Sequence, residues 1–460
     1  MTDRELGPEL GLIAEADRRA RAYLAASPAR PVFPPAEALV GLDRFDIPLP
    51  ERASDPAETL ELLDAWGSPA TTVSNGSRYF GYVIGASLPV AAAAERLLLA
   101  WDQSGASFET SPAAATIEAV AARWVLDVLD LPRDSAVGFG TGASACTLTA
   151  LATARRAVLA RAGWDLTRLG LRGSPAVRFV VPELVHGTVR KALRVLGVGE
   201  RDIAVAPVDA TGAVDPGRFP ALGGCTVVVL QAGEVNTGAV DPFASLIPLA
   251  RDRGAWVHVD GAFGLWARAS RRGALLAGVE GADSWTVDAH KWLNTPYDGG
   301  MTIVRDAGAL TATTNSDAAY AAPDPTAQRN LTLEFSRRPR GVSVWAALHS
   351  LGRQGVAELV DRTIDLAQRV GTQLAAAGFA VLSPVVLNQV LFRADDAAAT
   401  RRLHRDVARS GRAWLSLTQW ADEPALRISV SSWRTQSGDV DDLVALLVWL
   451  RTRDRADRVR

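Results

Sequence analysis

The spacing of hydrophobic positions changes twice along the chain, dividing it into three regions. Residues 1 to about 74 read as amphipathic helices joined by proline-rich connectors. Residues 5–26 are charged and helical in period. PARPVFPPAE (28–37) is an extended spacer. Ser54-Asp55-Pro56 starts a helix that runs through Trp66, with proline suited to the first turn. Such a segment cannot bury its apolar face alone, so it is expected to pack on another unit or another subunit.

From 75 to 340 the pattern alternates. Helical periodicity covers 88–102 and 112–130. Short apolar runs rich in β-branched residues follow at 136–139, 177–181, 226–230, 256–260, 284–287 and 301–304. Helical stretches such as 144–162, 186–196 and 243–253 separate most of them. Unbroken apolar strands alternating with helices predict an α/β domain with a mainly parallel sheet covered on both faces. Beyond 340 the pattern predicts helices at 342–352 and 354–377, then strands at 379–382 and 389–392. A helix at 397–409, strands at 413–418 and 425–431 and a helix at 439–452 complete a small α+β domain (341–460).

Composition narrows the function. The chain has 460 residues, 49 basic and 51 acidic, so no basic excess suggests nucleic-acid binding. No apolar run approaches the ~18 residues of a membrane span. The start MTDRELGPEL lacks the apolar core of a secretion signal. The two cysteines, Cys146 and Cys225, cannot make a disulfide framework, and a cytoplasmic location is expected. The five histidines show no metal-binding spacing, so no catalytic metal is expected. Only two basic residues are lysine, Lys191 and Lys291. Any reaction that needs a lysine amine has two places to look. Lys191 lies in HGTVRKALRVLG, an ordinary surface-helix pattern.

Three segments carry candidate chemistry. GFGTGASACTLTALATARR (138–156) is a short strand ending in glycines at a helix start near Ser144. Free backbone N–H groups there favour a phosphate; a purely structural turn and a dinucleotide fold compete with that reading. AWVHVDGAFGLWA (255–267) puts Asp260 at the carboxyl end of a strand, where α/β sheets bind ligands. Its carboxylate could keep a cationic ring nitrogen protonated, with small Ala262 leaving room for a flat ring, or could merely cap the next turn. DSWTVDAHKWLNTPYDGG (283–300) places Lys291 after a strand, beside His290 and near Asp288. Trp285 and Trp292 flank it, so the amine is expected to be shielded from water and usable as a nucleophile. A phosphate cradle, a carboxylate for a ring nitrogen and a buried lysine are what pyridoxal 5'-phosphate requires.

At these residues the chain resembles the group II pyridoxal-phosphate-dependent amino-acid decarboxylases, the family of aromatic L-amino-acid decarboxylase and glutamate decarboxylase. The strongest pieces are HVDGAFG (258–264) and DAHKWLNTPYDGG (288–300). Supporting pieces include SRYFGYVIG (77–85), GASACTLTAL (142–151), VVPELVHGTVRKA (180–192), GEVNTGAVDP (233–242) and LRISVSSWRT (426–435). The resemblance implies fold type I, with a seven-stranded, mainly parallel sheet in a large domain (75–340). It implies a homodimer with active sites at the interface, the N-terminal segment (1–74) packing on the partner. It makes Lys291 the Schiff-base lysine and Asp260 the partner of the pyridine nitrogen. Ala262 and His186 would cover the two ring faces. Ala143 and Ser144 would bind phosphate, helped by Asp288 and His290. Asn236, beside Val235, would contact the cofactor, and Phe80, Tyr82 and Arg427 would face the substrate. A structural salt bridge competes for Arg427.

The chain also departs from the family. Ala145 stands where relatives carry glutamate, and Val235 where aromatic decarboxylases have threonine. In those enzymes a loop tyrosine returns a proton to the substrate carbon, yet 321–345 contains no tyrosine and Tyr320 comes early. The expected reaction is decarboxylation of a free L-amino acid to the amine. Transamination and oxygen-dependent decarboxylation to an aldehyde are the alternatives. An aromatic substrate is mildly favoured by Phe80, Tyr82, Trp101 and Phe108. His258 is expected to sit behind Asp260 and orient it, His404 to be solvated, and Trp414, Trp420 and Trp433 to fill a core.

Overall fold

A computed structural model describes residues 3–316 and 324–459. Its strands are β1 (Tyr79–Phe80), β2 (Ala136–Gly140), β3 (Arg178–Pro182), β4 (Ile203–Ala206), β5 (Thr226–Gln231), β6 (Trp256–Asp260), β7 (Ser284–Asp288), β8 (Gly300–Val304), β9 (Ala380–Val381), β10 (Gln389–Arg393), β11 (Trp414–Trp420) and β12 (Glu423–Ser429). The larger sheet has seven strands in the order β2-β8-β7-β6-β5-β3-β4. Only β8 runs antiparallel to its neighbours. The expected parallel architecture is therefore present.

The reason lies in the residues. Every position of β5, β6 and β7 is buried. Side chains alternate across a strand, so both faces of such a run must be apolar. Val228 and Leu230 enter one core, packed under the helices Pro112–Val128 and Phe243–Asp252. Val227 and Val229 enter the other, under the helices Ala143–Arg161 and Gly187–Val195.

A second sheet of five strands runs β1-β11-β12-β10-β9. Its core gathers Phe80, Val390, Phe392, Leu415 and Ile428 with three helices, Gly341–Ala376, Ala397–Ser410 and Ser437–Val459. The first of these is bent at Gly352 (φ 60°), where the sequence predicts a break between two helices. The half before the bend packs on the large core through Val344 and Ala347. The far half packs on the small core through Val370 and Leu374. In the N-terminal segment the spacer is shorter than expected, because a helix already starts at Ala36. Asp55 caps the helix Pro56–Leu62, accepting from the N–H of Ala57 at 2.7 Å.

A buried ion pair ties the start of the long helix to the large domain. The side chains of Glu118 and Arg337 are both fully buried. Glu118 Oε1 accepts from Arg337 Nη1 at 3.0 Å and from the N–H of Gly341 at 2.8 Å. Removing one member strands the other charge, at a cost of about 3–5 kcal/mol, whereas an apolar pair of similar size is near neutral. Glu118→Ala should therefore unfold at markedly lower urea than wild type. Glu118→Leu combined with Arg337→Met should recover most of the loss. Equal midpoints for wild type and Glu118→Ala would contradict this assignment.

Candidate active site

The candidate residues converge because they sit at one end of the large sheet. Loops leaving the carboxyl ends of β2, β3, β5, β6 and β7 bring Gly142–Ser144, His186, Gly233, Val235, Asn236, Asp260 and Lys291 to a single cavity of about 620 Å³. The small sheet closes its far wall with Ser416, Leu417, Thr418 and Arg427.

Lys291 is one-fifth exposed, and its Nζ lies 3.0 Å from Asp288 Oδ2. Trp285 and Trp292 are fully buried and do not line the cavity, so the amine meets Asp288 rather than the two indoles. Trp292 Nε1 donates to Thr363 Oγ1 at 2.8 Å, which anchors the turn behind the lysine. In front of it, Gly85 presses on the backbone: a Cβ there would stand 2.0 Å from the carbonyl oxygen of Lys291. The loop that delivers Gly85 holds Tyr82, Val83 and Ala86 at positive φ. Such strain costs on the order of 1–3 kcal/mol per residue and persists only where surrounding contacts hold it.

The helix Ala143–Arg161 begins at Gly142, beside Asp288 and His290. Asp288 Oδ1 accepts from the N–H of Ala143 at 2.6 Å. The carboxylate thus braces the cradle and the lysine together. Being an anion, it does not itself attract a phosphate. Ser144 is exposed to the cavity, and no hydrogen bond among the described residues uses its hydroxyl. His290 Nδ1 accepts from the N–H of Gly299 at 3.1 Å. Burial, more than any neighbouring charge, lowers the pKa of His290. Tyr297 stacks on His290 with centroids 4.3 Å apart and lines the cavity. Burial first, and Asp288 second, push the Tyr297 hydroxyl up to about 12. Gly300 keeps the cradle open, since a Cβ there would meet Gly142 Cα at 2.5 Å and Asp288 Oδ1 at 2.6 Å.

Asp260 is buried, and its Oδ1 accepts from the N–H of Ala262 at 3.2 Å. It caps the next turn as the simpler reading has it, while no hydrogen bond among the described residues uses Oδ2. Ala262 offers no bulk to the cavity floor. His186 lines the same space, and its backbone N–H donates to Gln231 Oε1 at 3.2 Å. Asn236 is held by Glu234 (Nδ2 to Oε1, 3.0 Å) and accepts from Thr418 Oγ1 at 2.8 Å. Arg427 Nη1 donates to the carbonyl of Val235 at 2.9 Å, while its buried Nε has no partner. It forms no salt bridge among the described residues. The donors that remain can meet an acceptor in the cavity.

Some expectations are corrected. Phe80 does not face the site. β1 pairs in parallel with β11, matching Phe80 to Leu415, and this turns its ring into the small-domain core, where it is fully buried. Tyr82 does line the cavity, but Trp101 and Phe108 do not. His258 does not orient Asp260. Its Nδ1 pairs with Ser284 Oγ at 3.0 Å and its Nε2 has no partner. Burial lowers the His258 pKa to about 3. His404 is half-buried, edge-on to Trp414 at 6.4 Å. Trp414 is not core filling either: partly exposed, it stacks on Tyr79 at 5.0 Å and on Tyr82 at 5.3 Å, supporting the cavity's rim. Tyr320 lies outside the described residues. Sequence reasoning missed Tyr297, although it lies inside the quoted NTPYDGG, and missed Gln231, Ser416 and Thr418. Their cue, proximity through distant strands, is absent from local spacing.

Known structures share this architecture. Oryza sativa TDC, solved with PLP and tryptamine, superposes with a TM-score of 0.89 at 22% identity, covering 98% of this chain and 99% of that one. Mouse CSAD in apo form gives 0.87 at 19% identity, with 96% and 98% covered. The fold is thus type I of the pyridoxal-phosphate enzymes. Residues 49–395 match the family profile described as the pyridoxal-dependent decarboxylase conserved domain, and the chain belongs to that family. An aromatic-L-amino-acid decarboxylase of Bacillus atrophaeus is 28% identical over 423 residues, 85% of each chain. A phenylacetaldehyde synthase of Arabidopsis thaliana is 27% identical over 438 residues, 86% of each. The protein is therefore a pyridoxal-phosphate-dependent enzyme of the carboxy-lyase class, and its cavity fits the cofactor. The glycine-walled helix start, the unused oxygen of Asp260 and the amine of Lys291 lie around one space.

Gly300→Ala should weaken binding of pyridoxal phosphate at least ~10-fold, about 1.4 kcal/mol. Titration of the cofactor's absorbance into the purified protein measures this. Unchanged affinity would show that the cradle lies elsewhere.

Proposed function

We propose that this enzyme removes the carboxylate of a free L-amino acid as carbon dioxide and releases the amine. The observation that carries the reading is the lysine amine inside a cavity that also holds a carboxylate at a strand end and a glycine-walled helix start. When bound, the cofactor supplies an aldehyde that condenses with an amine, and a ring that takes up the electron pair left at the α-carbon. The chain's own residues do the rest. Lys291 is the tether and is displaced by the substrate's amine. Asp260 keeps a proton on the ring nitrogen, since an anion nearby favours the charged form of a base. Ser144 and His290 donate to the phosphate, and Ala143 and Asp288 shape the cradle around it. Ala262 and His186 would flank the ring, and Asn236 would contact the cofactor from the same cavity wall. Arg427, which lines the cavity, holds the substrate's carboxylate. The preference for an aromatic side chain now rests on Tyr82 at the rim, because Phe80 has left the site.

A second reading keeps the cofactor and changes the product to an aldehyde, with oxygen consumed, or to a keto acid by transamination. It is favoured by the absence of tyrosine from 321–345. We further infer a cytoplasmic homodimer. Most exposed large apolar side chains lie between Leu10 and Phe108, including Val40, Leu49, Leu99 and Trp101. So many exposed apolar side chains in one stretch of the chain favour a partner surface. Both cysteines are unpaired, as a reducing compartment would leave them. No helix among the described residues is long and apolar enough to cross a membrane.

Incubating the cofactor-loaded protein with the common amino acids, read by mass spectrometry, identifies the substrate and product. One amine with equal carbon dioxide is expected. A keto acid without carbon dioxide, or an aldehyde with oxygen uptake, favours the second reading. Lys291→Ala should lose the tethered cofactor's visible band. Asp260→Ala should keep that band yet lose at least ~100-fold in turnover, the lower end of what a positioned acid–base group contributes. In sedimentation, wild type should run as a dimer, and Leu99→Asp should shift it toward monomer.

A further inference from the structure

Two of the five histidines line the cavity, and both are held in the same way. His186 Nδ1 lies 3.3 Å from the backbone nitrogen of Thr188 and 2.7 Å from its hydroxyl. A backbone N–H only donates, so a hydrogen on Nδ1 would point at another hydrogen. The tautomer that satisfies this amide carries its hydrogen on Nε2, with the Thr188 hydroxyl then donating to Nδ1 as well. His290 repeats the arrangement, with the N–H of Gly299 aimed at its Nδ1 from 3.1 Å. Neither amide is free to turn. Thr188 sits in the first turn of the helix Gly187–Val195, which His186 itself caps. Gly299 sits in the turn before β8, its carbonyl accepting from the N–H groups of Ala289 and His290.

We infer that the backbone amides of Thr188 and Gly299 lock both imidazoles as neutral Nε2–H donors, so that the cavity offers hydrogen bonds to anionic oxygens but no imidazole base. Thr188 is thereby a positioning residue for His186, and Gly299 for His290. The inference rests on the decarboxylase reading for its consequence: His186 can donate to a carboxylate or a phenolic oxygen, and it cannot draw the α-proton from a substrate. A ring already accepting a hydrogen at Nδ1 resists becoming imidazolium, which requires hydrogen on both nitrogens. The charges facing His186 act in both directions. Asp260 and Asp288 favour its protonation, and Lys291 and Arg427 oppose it. Burial opposes it most. Around His290, burial opposes protonation most and Lys291 adds to it, while Asp288, the Gly299 backbone and Asp298 favour it.

The test is long-range ¹H–¹⁵N correlation on histidine-labelled protein without added cofactor, the His186 and His290 signals being assigned by their loss in His186→Gln and His290→Gln. Both rings should show the Nε2–H pattern from neutral pH downward until they titrate. Thr188→Pro removes both donors to Nδ1 while keeping a residue that a helix's first turn accepts. It should raise the proton affinity of His186 at least tenfold and populate the Nδ1–H form. Thr188→Ser, which retains both donors, should match wild type. An Nδ1–H pattern for either ring in wild type overturns the inference, whether or not Thr188→Pro folds. So does a folded Thr188→Pro with His186 unchanged. Adding pyridoxal phosphate to the same sample and reading its visible band tests the cofactor assignment separately.

Discussion

The site depends on one buried carboxylate. Asp288 is 2% exposed, and its two oxygens face different halves of the machinery. Oδ1 takes the N–H of Ala143 at the start of the cradle helix, and Oδ2 takes the amine of Lys291. A buried charge is tolerated only when it is paired and hydrogen-bonded, so the glycine loop after β2 and the turn after β7 are fixed to each other. The nearby Gly142 and Gly300 let the backbone close around that carboxylate. The distance between the helix start at Ala143 and the amine of Lys291 is therefore fixed by the protein itself.

The two sheets share the cavity through a small number of polar contacts. Thr418 donates to Asn236, and Arg427 donates to the Val235 carbonyl, so β11 and β12 lean on the loop after β5. On the other side, Asn294 Nδ2 donates to the carbonyls of Trp292 and Ser431, at 2.8 and 3.0 Å. The small domain thus touches the lysine turn directly. The strained Tyr82–Ala86 loop is wedged between them, with Trp414 beneath Tyr82. Lys291, Tyr82 and Arg427 are mechanically one unit, although they come from distant chain segments.

The sequence made part of this legible. β5, β6 and β7 could be read because burial on both faces leaves unbroken apolar runs. β4 could not: its four residues form a sheet edge with Val205 exposed, and such a short run has no period to detect. β1 is two residues long and takes its orientation from β11, more than three hundred residues away, which is why the facing of Phe80 was misjudged. Lys291 and Asp260 stood out because their chemistry is unusual at a strand end. His258 shares a face with Asp260, as alternation predicts, yet pairs with Ser284 on the neighbouring strand, and strand neighbours are invisible to a local pattern. Tyr297, Ser416 and Thr418 enter the site only through tertiary packing.

The scarcity of lysine has a chemical consequence of its own. Free pyridoxal phosphate is a promiscuous aldehyde that forms adducts with any accessible side-chain amine. Here the only other side-chain amine is that of Lys191, exposed on the helix Gly187–Val195, and the arginines are guanidinium groups that stay protonated. Reduction of the loaded protein with borohydride would thus write the label almost cleanly onto one residue, and the surface would waste little of a scarce vitamin.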